Sequence, residues 1–250
     1  MSGSVAAERK PHAVLDAPSR RLKALKIERL LELRPQSRPL RMLEVGCGIG
    51  GISHYFGTHP DLRCEVDAVD LHDLRQVTEG YRFTRVSDTR LPFAAGEFDV
   101  VISNHVIEHV GDRARQADHL AEVHRVMKPQ GRGYLAVPNR WQLIEPHYQL
   151  AFLSWLPRPW RTPYLRRMRG AEFYDCEPLT AGELERLLRQ AQFSFENVCA
   201  RATRLTFAIE RPGSAADALL EVVPESWLHA LRRVIPTLIY LLHPAGADGR

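Results

Sequence analysis

The stretch LEVGCGIGG, Leu43 to Gly51, constrains this chain more than any other. Its glycines fit two patterns at once. Gly46, Gly48 and Gly51 spell the G-x-G-x-x-G of a dinucleotide-binding fold, whereas Glu44, Gly46, Gly48 and Gly50 spell an E-x-G-x-G-x-G. Both use the same physics: glycine lets backbone approach a ligand where a side chain would clash, at the N-terminus of a helix. RMLEVGCG, an apolar run bounded by glycines, leads into the loop as a buried strand, and a helix opens at the glycines and runs through GISHYFGTH.

The flanking segments repeat that alternation. RRLKALKIERLLEL places Leu22, Leu25, Leu30 and Leu33 on one helical face and ends before Pro35. CEVDAVDL and YRFTRVSD read as the second and third strands, and EFDVVISN as a fourth whose Val100, Val101 and Ile102 suit burial on both faces. RQADHLAEVHRVMKPQG carries Leu120, Val123 and Met127 on a helical stripe before a Pro/Gly stop, and RGYLAVPN follows as the fifth strand. The expected fold is α/β, a doubly wound, mostly parallel, seven-stranded Rossmann-like sheet that binds ligands at the carboxyl ends of its strands.

Past Asn139 the alternation lapses until LTAGELERLLRQAQF, where Thr180 and Glu183 have the spacing of a capping box. FSFENVCA and TRLTFAIE then follow one another as strand-like pieces, which predicts an antiparallel pair at one sheet edge. The resulting organisation is a flexible tail over 1–20, a domain over 21–212 containing a lid and acceptor insertion over 139–178, and a helical extension over 213–250.

With 250 residues, 44% of them hydrophobic, the chain is long enough for one substantial core. Cys47, Cys64, Cys176 and Cys199 lack C-x-x-C spacing, so spacing suggests neither a disulfide framework nor a thiolate zinc site. MSGSVAAERKPH has no apolar run of the signal-peptide kind, and the expected location is cytoplasmic. The net charge of +4 comes from a chain whose basic residues are almost all arginine, and that bias does not by itself indicate a nucleic-acid partner.

Two acidic residues bear on the ligand. Asp70, ending the second strand, suits the ribose hydroxyls of NAD or of any other adenosine. Glu44, just before the glycines, has no obvious partner in a pyrophosphate but suits an ammonium group, which S-adenosylmethionine carries. Farther on, VSDTRLPFAAGEFDVVISNHVIEHV and HRVMKPQGRGYLAVPN closely resemble the class I S-adenosylmethionine-dependent methyltransferases, in the branch that methylates small molecules and includes ubiquinone-biosynthesis O-methyltransferases. The resemblance covers Leu40 to Val137 densely, resumes at LTAGELERLLRQAQF, and presents four separated motifs in the family's order. Gln192 replaces a frequent glycine and Gln130 interrupts a common P-G-G; neither touches the expected cofactor site.

Carried over by position, the resemblance implies Gly46, Cys47, Gly48 and Gly50 around the methionine portion and Glu44 near its amino group. It implies Asp70 and Leu71 at the ribose, Asp88 and Thr89 at the adenine, and Asn104 beside the sulfonium. The sulfonium methyl is already activated, so the protein must align a nucleophile in line with the methyl–sulfur bond, with a base only where the acceptor keeps its proton.

HVIEH supplies candidates for that base. His105, Glu108 and His109 lie at i, i+3 and i+4, one face of a short helix after the fourth strand. The string also matches the inverted zinc-protease motif H-x-x-E-H, which such proteases carry on a long helix. In small-RNA terminal 2'-O-methyltransferases and some quinone O-methyltransferases a similar E-H pair binds a divalent ion. Glu108 and His109 match that pair, His105 occupies the preceding turn, His147 in IEPHYQL could complete the set, and such donors favour manganese, iron or zinc. The preferred reading assigns no metal: Glu108 and His109 hold the loop by hydrogen bonds, and His105 or His147 is the catalytic base.

EPHYQLAFLSWLPRPWRTPYLRRMRG interleaves Tyr148, Phe152, Trp155, Trp160 and Tyr164 with Arg158, Arg161, Arg166, Arg167 and Arg169. As a lid it would exclude water and meet an anionic, glycan or lipid-linked acceptor; as plain structure its aromatics are core and its arginines a solvated face. WLHALRRVIPTLIYLLHP would lie on a membrane surface, pack in a homodimer, or cover the sheet, the last being the commonest fate of such a segment. Nucleic acid is the minority reading. The expected function is transfer of a methyl group to a hydroxyl of a small, sugar- or lipid-linked metabolite. The rivals are a non-catalytic cofactor-binding scaffold, an RNA methyltransferase and an NAD-dependent oxidoreductase.

Overall fold

The computed structural model describes residues 17–230 and 235–246. Most of the expected N-terminal tail therefore lies outside the described residues, and residues 17–20 already belong to a helix.

The strands are β1 (Leu40–Val45), β2 (Cys64–Asp70), β3 (Tyr81–Arg85), β4 (Phe98–Asn104) and β5 (Met127–Pro138), then β6 (Ile144–Glu145), β7 (Leu150–Ala151), β8 (Phe193–Asn197) and β9 (Thr237–Pro244). The helices are α1 (Ala17–Leu30), α2 (Gly51–Gly57), α3 (Arg113–Val126), α4 (Arg158–Arg169), α5 (Ala181–Gln190), α6 (Cys199–Glu210), α7 (Ala215–Val222) and α8 (Glu225–Ala230). Seven strands form one sheet in the order β3-β2-β1-β4-β5-β9-β8, and β6 and β7 form a separate hairpin. β1 pairs in parallel with β2 on one side and β4 on the other, so the strand order reverses between β1 and β4. A crevice opens at such a switch point, outside the carboxyl ends of the strands.

Both faces of the central strands are covered, which is why those strands are mostly apolar. Leu43, Val45, Val69, Val101 and Leu135 point to one core with Leu120 and Val123 of α3 and Leu184 and Leu188 of α5. Met42, Val66, Val100, Ile102 and Ala136 point to the other with Ala24 and Ile27 of α1, Phe56 of α2 and Ala202 of α6. The capping box expected at α5 is present: Thr180 Oγ1 accepts from the Glu183 amide at 3.2 Å, and Glu183 Oε2 accepts from the Thr180 amide at 2.8 Å.

Two expectations are corrected at the carboxyl end. TRLTFAIE is not a strand but part of α6, whose Cys199, Ala200 and Ala202 are buried. Its β-branched residues are reconciled with the helix because Thr203 and Thr206 return their hydroxyls to the carbonyls of Cys199 and Ala202, each at 2.8 Å. The extension over 213–250 is not helical throughout: after α7 and α8 the chain enters the sheet as β9, antiparallel to both β5 and β8. TLIYLLHP is apolar because it is an interior strand, with Leu238 and Tyr240 fully buried. The expected antiparallel edge therefore exists, but β9 forms it with β8. Residues 231–234 of the same apolar stretch lie outside the described residues.

The insertion between β5 and α5 has its own small core of Leu150, Leu153, Leu165, Tyr174 and Cys176. Its arginines divide between the two readings. Arg161 is buried, donating to the Leu156 carbonyl at 2.9 Å and pairing with Glu177 at 3.3 Å. Arg166, Arg167 and Arg169 are exposed.

Candidate active site

A cavity of about 760 Å³ opens at the switch point. Its walls include Glu44, Gly46, Cys47 and Gly48 from the β1–α2 loop, Asp70 and Leu71 after β2, and Asp88 and Thr89 after β3. Asn104, His105 and His109 follow β4, and His147 and Asp175 come from the insertion. Its size is typical of a small-molecule site.

The loop geometry separates the two glycine patterns. Gly46, Gly48 and Gly50 have φ of 77°, 53° and 85°, in the left-handed region, and Gly51 is not among the positive-φ glycines. Backbone conformation thus requires glycine at Gly46, Gly48 and Gly50, whereas Gly51 is held by packing, a Cβ there lying 2.7 Å from Arg20 Cβ. A Cβ on Gly46 would sit 2.3 Å from Val106 Cγ2, and one on Gly50 would sit 2.0 Å from the Tyr81 hydroxyl, whereas one on Gly48 would meet no protein atom within 4 Å. Gly50 thus packs beneath the loop and does not line the cavity, unlike the other two.

The acidic residues occupy three environments. Glu44 is buried and accepts a short hydrogen bond from the Ser53 hydroxyl. Burial pushes its carboxyl up to about 7, opposed by that hydrogen bond and by Arg20. Asp70 accepts from the Gly48 amide at 2.9 Å and from the His72 amide at 3.3 Å. Asp88 is exposed at the cavity rim and accepts from the Arg90 amide at 2.8 Å.

HVIEH differs from expectation in local form. Only Ile107–His109 forms a helical turn, of the tighter 3₁₀ kind. His105 precedes it in a left-handed conformation, φ 59°, with its amide bonded to the Ala136 carbonyl at 2.9 Å. Such a conformation at a non-glycine residue is held in place by its surroundings. The ring nevertheless stands beside Glu108, Nδ1 to Oε1 at 3.4 Å.

Glu108 is fully buried, and among the described residues neither of its carboxylate oxygens meets a donor at good hydrogen-bond geometry. Its backbone carbonyl accepts from the Glu177 amide at 2.8 Å, which ties the turn to the insertion. Burial opposes its ionisation, and the His105 and His109 imidazoles outweigh that and hold the carboxyl below its ordinary value. His147, whose ring stands edge-on to that of His109 with centroids 5.2 Å apart, donates from Nδ1 to the buried Glu145 at 2.6 Å. Burial works against protonation of His147, and Glu145 reverses the balance, so its pKa lies above the ordinary imidazole value.

Several lining residues were not legible beforehand. Arg20 and Lys23 of α1 reach the cavity because that helix crosses the glycine loop, a packing relation without a local signature. His119 of α3 reaches it from below, 3.1 Å from the Ser103 hydroxyl, and burial lowers its pKa to about 4. Cys176 gave no signal as a lone cysteine, yet its Sγ lies 3.8 Å from His109 Nδ1 and 3.7 Å from His147 Nδ1.

Residues 43–135 match the family described as methyltransferase domain. The matched stretch runs from β1 into β5 and holds the glycine loop, Asp70 and Asp88, and the chain spans less than half the length of the curated relative it matches. Among curated proteins, the chain is 31% identical over 107 residues to a malonyl-[acyl-carrier protein] O-methyltransferase of Enterobacter lignolyticus (strain SCF1), a match covering 41% of this chain and 40% of that one. Among solved structures it resembles the [4+2]-cyclase SpnF, at 16% identity and TM-score 0.53 over 96% of this chain and 86% of that one. It also resembles a geranyl diphosphate C-methyltransferase of Streptomyces coelicolor A3(2), solved with Mg2+, geranyl diphosphate and S-adenosyl-L-homocysteine, at 17% identity and TM-score 0.52 over 89% and 78%. The structural likenesses are to the fold, and the presence of a cyclase among them shows that the fold leaves the reaction open.

Proposed function

We propose that the chain is an S-adenosylmethionine-dependent methyltransferase acting on a hydroxyl of a small, sugar- or lipid-linked acceptor. The observation that carries this reading is that Glu44, the left-handed glycine loop, Asp70 and Asp88 line one cavity with His105 and His147. The cofactor's amino-acid end is zwitterionic. Glu44 suits its ammonium, and Arg20, close enough to influence Glu44, suits its carboxylate. Asp70 takes the ribose hydroxyls, with Leu71 packing beside it, and Asp88 and Thr89 take the adenine edge. Asn104 stands where β4 delivers it toward the reacting centre.

S-adenosylmethionine supplies a methyl group already activated on a sulfonium. The protein holds the acceptor oxygen in line with it and removes the acceptor's proton. His105 is the base: with Nδ1 directed at Glu108, Nε2 is left to accept the proton, and the buried carboxylate stabilises the resulting imidazolium. His147, tied to Glu145, positions the acceptor from the insertion.

Nature of the acceptor follows from the insertion. Leu143, Ile144, Phe152, Trp160 and Phe173 are more than half exposed or at half, beside the exposed Arg166, Arg167 and Arg169. An amphipathic, anionic or lipid-linked acceptor, met at a membrane surface, suits that combination. Among the described residues no helix is long and apolar enough to cross a membrane.

Calorimetric titration with S-adenosylmethionine, S-adenosylhomocysteine and NAD tests the reading. Saturable binding of the first two is expected. Binding of NAD alone would overturn it, and sulfonium binding without transfer to any hydroxylated acceptor would leave the scaffold reading in its place.

A further inference from the structure

The cavity wall formed by the insertion contains a cluster that methyl transfer does not require. One ligand atom from each of His109, His147 and Cys176 lies within 4.8 Å of the others. The residues come from the turn after β4, the β6–β7 hairpin and the segment after α4, so only the tertiary fold unites them. Beside them stands Glu108, a fully buried carboxylate whose oxygens, among the described residues, meet no donor at good hydrogen-bond geometry, His105 Nδ1 standing 3.4 Å away. A buried carboxylate short of hydrogen-bond partners is costly unless a cation compensates it.

We propose that His109, His147 and Cys176 bind a transition-metal ion of the zinc class on the acceptor side of the cavity, with Glu108 balancing its charge. A tetrahedral zinc site with Zn–S near 2.3 Å and Zn–N near 2.0–2.1 Å separates sulfur from nitrogen by about 3.6 Å. The observed separation of Cys176 Sγ from His109 Nδ1 is 3.8 Å. Proton bookkeeping points the same way. His147 Nδ1 already donates to Glu145 at 2.6 Å, so it cannot also accept the Cys176 thiol proton, and Nε2 is the nitrogen with a lone pair. A carboxylate on the other ring nitrogen is the usual support of a metal-binding histidine; Glu145 gives it to His147, and Glu108 faces His109 Nε2 at 3.9 Å.

The donor set decides the class of ion. A thiolate with two imidazoles selects zinc, cobalt or iron over magnesium or calcium, whose ligands are oxygens. Binding displaces the thiol proton to solvent. Three protein ligands leave a fourth position open to the cavity, as catalytic zinc sites do. The acceptor is then a molecule with an oxygen able to ligate the ion, which lowers the pKa of that hydroxyl.

The test uses the full chain, stripped with a chelator and titrated with Zn2+ and separately with Co2+. One ion per chain is expected, and the cobalt form should show the near-ultraviolet charge-transfer band of a thiolate ligand. Cys176→Ser should abolish that band, and His147→Gln should weaken ion binding by about tenfold or more. S-adenosylhomocysteine affinity, measured on every variant, reports on folding and on the cofactor site independently of the ion. Wild-type protein that binds S-adenosylhomocysteine but no ion, or that binds cobalt without the thiolate band, overturns the proposal. So does a band that persists in folded Cys176→Ser. Because the ion is read by stoichiometry and spectrum, failure here is distinguishable from failure of the methyltransferase reading.

Discussion

Asp70 Oδ2 accepts a hydrogen bond from the Gly48 amide at 2.9 Å, across a separation of 22 residues. The end of β2 thereby holds the middle of the glycine loop, and the carboxylate expected to bind a ribose also shapes the loop that receives the rest of the ligand. Asp70→Ala removes both functions. S-adenosylhomocysteine affinity should fall by about tenfold or more, since hydrogen bonds to charged groups contribute about 1.5–3 kcal/mol. Calorimetry on the variant checks this, and unchanged affinity would refute the placement.

Gly46 and Gly48 should respond differently to alanine. At Gly46 the added Cβ collides with Val106 at 2.3 Å in a left-handed backbone, so Gly46→Ala should lose about 2–4 kcal/mol of stability, read as a lowered melting temperature. A Cβ added at Gly48 would meet nothing within 4 Å, so Gly48→Ala should cost only the backbone strain of about 1–2 kcal/mol. Its methyl would stand in the cavity, and ligand affinity should fall more than stability.

Glu44 gives the site a pH dependence. Its folded-state pKa, about 7, is raised from an ordinary 4.5, so the unliganded protein loses stability as pH rises from 4.5 through 7. An ammonium ligand requires the ionised form. Affinity for S-adenosylhomocysteine should therefore decline below pH 7, with proton release on binding, seen as a buffer-dependent enthalpy. Glu44→Gln should melt higher than wild type above pH 7 and bind poorly at every pH.

His105→Gln should lower the rate of methyl transfer by about 10²–10⁴ while leaving S-adenosylhomocysteine affinity within about twofold. Glu108→Gln should slow transfer as well, through His105, with a shifted pH–rate profile as the readout that a structural role would not produce. Full activity of both variants on an identified acceptor removes the pair from the mechanism.

Tyr240 tests the corrected carboxyl terminus. It is fully buried in β9 and donates to Glu185 at 2.9 Å. Tyr240→Ala should cost about 3–5 kcal/mol, the range for truncating a large core aromatic, whereas a strand lying on the surface would tolerate it. Thermal or urea unfolding measures the difference.

What the sequence determined by itself was local and periodic. Runs such as EFDVVISN could only be strands covered on both faces, and the spacing of Glu44, Gly46, Gly48 and Gly50 specified a backbone that only glycine adopts at low cost. Asp70 followed from its position at a strand end, because a parallel sheet delivers those ends to one crevice, whereas Asp88 came only from the family resemblance. Where periodicity was ambiguous the reading failed: TRLTFAIE has β-forming residues but folds as α6 against α1, and TLIYLLHP became a strand because β5 and β8 leave a place between them. The relations that only the tertiary structure decided share one property, distance along the chain. Arg20 lies over the glycine loop, and Cys176 meets His109 and His147, because packing of α1 and of the insertion brings them there. Spacing encodes neighbours within one element, whereas a cavity wall is assembled from several elements whose mutual placement is set by the burial of both sheet faces.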